Sequence, residues 1–215
     1  VEKCIEAGKP VIVATQMLES MIGSPMPTRA EANDVATAIF DRSDGIMLSG
    51  ETAVGDYPVE TVRMMQRIAR NAEMKLSGST QRRWQRDEIP QSEAERALAR
   101  AVCRTAEALQ AKAIVTQTIS GGTARLISMN RPSVPIIATT PVEQTYYHMS
   151  LIWGVHAFLV PKLEEVFMES VHRNDQILIE AGALKKGDLV VITAGIPAGK
   201  AGGSNVMKLH IVGEG

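Results

Sequence analysis

Near the start of the chain, polar residues with chemical potential stand at the ends of two short apolar runs. Thr15 and Gln16 follow Val11-Ile12-Val13-Ala14, and Ser49 and Glu51 follow Gly45-Ile46-Met47-Leu48. Hydroxyls, an amide and a carboxylate at adjacent strand ends can orient a small anionic substrate, its water and a metal ion. Thr15 and Ser49 equally suit a plainer task, capping the turns that follow them.

A second group is Thr118-Ile119-Ser120-Gly121-Gly122-Thr123-Ala124-Arg125. Here a strand ends in hydroxyls and two glycines just before a helix. Amides freed at a helix N-terminus, with glycines allowing close approach, form an anion cradle, and the Ser and Thr hydroxyls add donors suited to phosphate. The alternative is an ordinary glycine-rich turn. No Walker lysine is present, which disfavours nucleoside triphosphate chemistry of that type. A third stretch, Gly195 to Asn205, carries four glycines and Lys200. It is either a lid over a ligand or a long hairpin loop.

The elements that must position these groups can be read from periodicity. Val1 to Ala7 is the tail of a helix stopped by Gly8, so the chain begins within an architecture. Met17 to Pro27 reads as a loop turning at Gly23-Ser24-Pro25. Thr28 caps a helix over Arg29–Asp41, with Glu31 at the capping-box position and Ala30, Val35, Ala36, Ile39 and Phe40 at helical spacing. Pro58 suits the first position of a helix reaching Met74, whose inner face would carry Val62, Met65, Ile68, Ala69 and Ala72. Strand, polar tip, helix, strand, polar tip is a βαβ unit. In open α/β sheets and barrels, chemistry collects at such tips.

The segment 76–91 lacks periodicity and reads as a linker between residues 1–75 and 92–215. Beyond it a long helix runs from Ser92 to about Leu109. Strands at Ala113–Thr116, Val134–Ala138, Val155–Val160 and Asp188–Thr193 then alternate with helices at Thr123–Met129, Pro141–Met149 and Leu163–Ala181. That alternation implies a second, mainly parallel α/β sheet. A last strand, Asn205–Val212, has no helix before it and is expected antiparallel at an edge.

Composition narrows the function. The 215 residues are 45% hydrophobic and 22% charged with net charge −1, which suits one or two soluble domains and gives no broad surface for nucleic acid or anionic membrane. The one basic cluster, Arg82-Arg83-Trp84-Gln85-Arg86, runs straight into Asp87-Glu88 and reads as solvated linker. Cys4 and Cys103 lack CxxC partners and read as reduced thiols of a cytoplasmic protein. No apolar run spans a bilayer and no signal peptide precedes the first strand. His148, His156, His172 and His210 show no ligand spacing and are assigned structural roles, and Trp84 and Trp153 are assigned to packing.

Three blocks in register, Ala14 to Met21, Pro27 to Glu31 and Ile46 to Ala53, followed by Gly55-Asp56-Tyr57-Pro58, resemble pyruvate kinases. The resemblance runs to the C-terminus but covers only the latter part of the enzyme. It implies an α/β fold: the last two β/α units of a (β/α)8 barrel, then a mainly parallel five-stranded regulatory domain. It implies phosphoryl transfer from phosphoenolpyruvate to ADP, giving pyruvate and ATP, in a cytoplasmic homotetramer using Mg²⁺ and K⁺.

By that likeness Thr15 and Gln16 contact substrate, with Thr15 beside the protonation site, and Ser49 and Glu51 join the surrounding polar network. Arg29 resembles an arginine near a subunit contact linked to activation. The effector loop would comprise Thr118, Ser120, Gly121, Gly122 and Thr123, and the closing loop Lys200, Gly202 and Ser204. Ile119 and Gly122 stand where some members carry charged side chains, which points to a sugar monophosphate or nucleotide monophosphate effector. The family's catalytic lysine and metal ligands lie upstream of Val1, so this chain alone is expected to be inactive. A stand-alone sugar-phosphate-binding regulatory module without catalysis is the alternative.

Overall fold

The computed structural model describes residues 1–76, 93–161, 166–196 and 203–214. Two compact units form, Val1–Arg82 and Arg83–Gly215. Apart from Leu76, the 76–91 segment lies outside the described residues, as does Trp84.

In the first unit, helix α1 (Glu2–Glu6) leads through Gly8, at φ 64°, into strand β1 (Ile12–Val13). Helix α2 (Arg29–Phe40) follows, then strand β2 (Gly45–Ile46), a short helix α3 (Gly50–Ala53) and the long helix α4 (Pro58–Lys75). β1 and β2 pair in parallel, Ile12 with Gly45 and Val13 with Ile46. The α2 N-terminus carries the capping box that its sequence specifies: the Thr28 side chain accepts from the Glu31 amide, and the Glu31 carboxylate accepts from the Thr28 amide. Pro58 opens α4 at the position where its missing N–H costs nothing.

Three local expectations are corrected. The stretch 17–27 is not all loop, because Glu19–Ile22 forms a 3-10 turn. Leu18 and Met21, three residues apart, both sit fully buried in the core and hold that turn in place. In α4, Val62 is 53% exposed, whereas Thr61 and Met64 are buried with Met65 and Ala72. Thr61 can face inward because its hydroxyl donates to the Tyr57 carbonyl at 2.7 Å. In α2, Val35 and Ala38 form the buried face, while Ala30 and Phe40 are exposed.

The second unit is built on a five-stranded sheet in the order β5-β4-β3-β6-β7. After helix α5 (Glu93–Ala108) the chain runs β3 (Ala113–Gln117), α6 (Gly122–Met129), β4 (Ile136–Thr140), α7 (Glu143–Met149), β5 (Val155–Leu159), α8 (Phe167–Glu180), β6 (Leu189–Gly195) and β7 (Ser204–Ile211). Four strands are parallel, and β7 pairs antiparallel with β6 at the edge. Alternate residues of the central strands go to opposite faces. Ile114, Ile136 and Val191 pack with α5 and α6. Val115, Ile137 and Ile192 pack with Val171 and Leu178 of α8. β4 begins two residues later than its apolar run suggests, because Pro135 has no N–H to give and contributes only its carbonyl, to Ile114.

The lone polar residues mostly find structural partners. His210 lies buried with its Nε2 2.7 Å from an Asp175 carboxylate oxygen, which also accepts from the Gly213 amide. Arg131 stacks over Trp153 at 5.2 Å. Both cysteines are free thiols. Burial, with a smaller contribution from the charge of Glu107, pushes the Cys103 thiol up to about 12 and leaves it unreactive. Among the described residues no helix is long and apolar enough to cross a membrane.

Candidate functional site

The parallel pairing of β1 and β2 brings the two polar tips side by side, and Met47 N–H extends the ladder to the Val13 carbonyl at 2.9 Å. Past β1 the backbone turns left-handed at two consecutive non-glycine residues, Thr15 (φ 72°) and Gln16 (φ 53°). Each such residue costs about 1–3 kcal/mol and persists only where its surroundings over-determine it. The turn leaves both side chains exposed, and the Thr15 hydroxyl donates to the Ala14 carbonyl at 2.6 Å.

What ties the tips together is Glu51. Its side chain is only 4% exposed. One carboxylate oxygen accepts from Leu18 N–H at 3.2 Å, and the other from Ser49 N–H at 2.8 Å. Burial and the nearby charge of Glu31 push its pKa up. The amides of Ser49, Glu51 and Leu18 outweigh both, and the carboxyl stays below its ordinary range. Glu51 is therefore an ionised acceptor. Ser49 occupies the N-cap position of α3 yet makes no side-chain capping bond, so its exposed hydroxyl is not consumed by the turn.

A second carboxylate grips the same segment. Glu31 accepts from Ser20 N–H at 2.7 Å and Ser20 Oγ at 2.5 Å, and from Thr28 N–H and Oγ at 2.7 and 2.8 Å. Desolvation opposes its charge, but these bonds prevail and hold its pKa at about 2. Among the described residues no three His, Cys, Asp or Glu side chains gather as a metal site. The oxygens of Glu31 and Glu51 are already occupied by N–H and O–H donors. With no third His, Cys, Asp or Glu ligand beside them among the described residues, this pair does not fit the Mg²⁺ that the resemblance implies.

In the second unit the glycine-rich loop joins β3 to α6. Gly121 caps the helix in left-handed conformation (φ 79°), and its amide donates to the buried Thr118 Oγ at 2.9 Å. The first intrahelical bond is from Arg125 N–H to the Gly121 carbonyl, so the amides of residues 122–124 precede it at the helix mouth. Ser120 is exposed. The Thr123 hydroxyl is hydrogen-bonded to that of Ser204, across 81 residues of sequence. Thr118, Gly121, Gly122, Thr123 and Ser204 are thus brought to one end of the sheet. Lys200 and Gly202 lie outside the described residues.

Sequence reasoning missed a band of buried polar side chains beneath this loop. Thr116, Gln117, Thr139, Thr140 and Thr193 are all buried at the carboxyl ends of β3, β4 and β6. Ser170 Oγ donates to Gln117, and Asn174 donates to Thr139, each at 3.2 Å. Thr116 and Thr193 are register partners whose hydroxyls have no hydrogen-bond partner. The signal was present in the sequence: β3 and β4 switch from Ile and Val to Thr or Gln at their last positions, and β6 turns from Val191-Ile192 to Thr193 before ending in Ala194-Gly195.

Two family models match the chain. The family model described as pyruvate kinase, alpha/beta domain, matches residues 96–210, and that described as pyruvate kinase, barrel domain, matches residues 1–62. A pyruvate kinase of Sporosarcina psychrophila is 46% identical over the whole chain, and one of Geobacillus stearothermophilus 44%. The chain spans 36% of the length of each. The crystal structure of a pyruvate kinase from Cryptosporidium parvum superposes with TM-score 0.83 at 34% identity, covering 98% of this chain and 41% of that one.

Proposed function

The chain belongs to the pyruvate kinase family, and on that premise we propose that it supplies part of the substrate site and the effector domain of an enzyme that transfers a phosphoryl group from phosphoenolpyruvate to ADP. The observation that carries this reading is the pair of polar tips bridged by Glu51, which leaves the Thr15 and Ser49 side chains exposed on neighbouring strand ends. Phosphoryl transfer breaks the P–O bond of phosphoenolpyruvate, forms one to the β-phosphate of ADP, and leaves the enolate of pyruvate to be protonated at carbon. Thr15 is the hydroxyl assigned to the protonation site. Gln16 and Ser49 orient the carboxylate and water around it.

The cations that neutralise the moving phosphoryl group in this reaction, Mg²⁺ and K⁺, are assigned to residues outside this chain. On this reading the chain supplies only part of the catalytic machinery. The parent enzyme is read as a cytoplasmic homotetramer. Its effector, a sugar monophosphate or nucleotide monophosphate, is assigned to the loop of Thr118, Ser120, Gly121, Gly122 and Thr123, with Lys200, Gly202 and Ser204 completing it. Amides at a helix mouth beside Ser and Thr hydroxyls support that assignment.

The test is an assay of the parent enzyme, the complete protein that carries the cation-binding residues together with this chain, for ADP-dependent pyruvate release from phosphoenolpyruvate with Mg²⁺ and K⁺. Turnover is expected, and Thr15→Val should lower kcat by about 10²-fold, the range of a lost proton-transfer group. No turnover above background in the unaltered protein rules the reading out.

A further inference from the structure

Two adjacent non-glycine residues in left-handed backbone need an external cause. Among the described residues nothing local provides one at Thr15–Gln16, where the only side-chain bond is that of Thr15 to its neighbour's carbonyl. The cause lies two to four residues further on. Leu18 N–H is held by Glu51 from α3, and Ser20, by both its amide and hydroxyl, is held by Glu31 from α2. Met17, Leu18 and Met21, at and on either side of these grips, are sunk in the core.

We propose that Glu51 and Glu31 are positioning residues that pin segment 17–21 at two points and thereby fix the left-handed turn presenting Thr15. The inference rests on the reading of these tips as a substrate site, but the pinning itself is a separate property of the chain. Glu51 has the larger part. It is buried, and it fixes the second tip through Ser49 as well as the first through Leu18, so it sets the spacing between the Thr15 and Ser49 hydroxyls. Its two oxygens are held as acceptors of the Leu18 and Ser49 N–H groups. Its contribution is geometric and acts through Thr15. Glutamine at this position keeps the size but turns an NH₂ group towards an amide that needs an acceptor.

Two measurements on the intact protein test this. The first is steady-state kinetics of Glu51→Gln across pH. The expected result is a kcat reduced about 10- to 100-fold, with KM for phosphoenolpyruvate changed less than about threefold and a pH–rate profile of unchanged shape. The second is site-resolved amide hydrogen exchange, in which Leu18 and Ser49 should lose protection at least tenfold more than the α4 amides do. A kcat within twofold of the parent, or loss of one limb of the pH profile, overturns the proposal, the latter because Glu51 would then exchange a proton itself.

Should Glu51→Gln fail to fold, Ser20→Ala, which removes one hydroxyl donor from Glu31, carries the test. It should lower kcat about threefold to tenfold and speed exchange at Leu18, and no change in either overturns the proposal. If the unaltered protein shows no phosphotransfer, the functional reading fails while exchange at Leu18 and Ser49 still decides the pinning.

Discussion

The tip after β1 and the loop after β3 solve one geometric problem in opposite ways. Each must leave a parallel strand through left-handed backbone and present polar groups at the carboxyl end of a sheet. The loop uses Gly121, which reaches φ 79° without strain, and closes on its own Thr118 hydroxyl three residues back. The tip uses Thr15 and Gln16, which do not reach it without strain, and is held by carboxylates from two later helices. The difference shows what each place presents. A glycine loop offers backbone amides, the groups that receive an anion. A non-glycine tip offers side chains, the groups that act on one substrate atom, and the fold absorbs the strain of keeping them there.

The largest test of this contrast is removal of the loop's hydroxyls. Thr118→Ala combined with Ser120→Ala should weaken binding of a sugar or nucleotide monophosphate more than about 100-fold, since each hydrogen bond to a charged group is worth about 1.5–3 kcal/mol. Calorimetric titration measures it, and unchanged affinity would remove the loop from the effector site. Next in size is Gly121→Ala. Without carboxylate support the loop has no means of holding a side chain in left-handed backbone, and the new Cβ would lie 3.4 Å from Met149 Cγ. A loss of about 1–2 kcal/mol in denaturant unfolding is expected, and a neutral outcome would show the loop to be as over-determined as the tip.

Acid gives the smallest effect and should touch only the carboxylate-held tip. Glu31 has its folded-state pKa lowered from 4.5 to about 2. A depressed carboxyl pKa contributes stability that is fully present above the unfolded value and lost as pH falls through the folded one. The window is therefore about pH 4.5 down to 2. Discounted for solvent screening, its contribution is about 1 kcal/mol. Glu31→Gln should be less stable than the parent by that amount at neutral pH, and the two should converge near pH 2. Parallel acid-unfolding curves over the whole range would show that Glu31 carries no such linkage.

Much of the architecture was legible because it depends on short-range pattern. Thr28 and Glu31 lie three residues apart and spell their own cap. Pro58 marks the start of α4 by the bond it cannot make. Strands alternating with helices dictated a parallel sheet, and a last strand without a preceding helix dictated its antiparallel edge. Where local pattern was ambiguous the reading failed. The apolar spacing of α4 fitted more than one rotation, and the structure chose the one that buries Thr61 and leaves Val62 outside. The stretch 17–27 has turn residues, but two buried side chains curl its beginning into a 3-10 turn.

The candidate site divides in the same way. Which residue types stand at the strand ends, and hence that hydroxyls and a carboxylate gather there, was determined by the sequence alone, because a parallel βαβ unit puts both tips at the same end of the sheet. What each of them does was decided by tertiary structure. Glu51 reads as one polar group among several until its oxygens meet Leu18, 33 residues away, and Ser49. Thr123 and Ser204 meet across 81 residues. A hydrogen bond depends on distance and direction in space, to fractions of an ångström, and local sequence pattern carries no such information across an intervening fold.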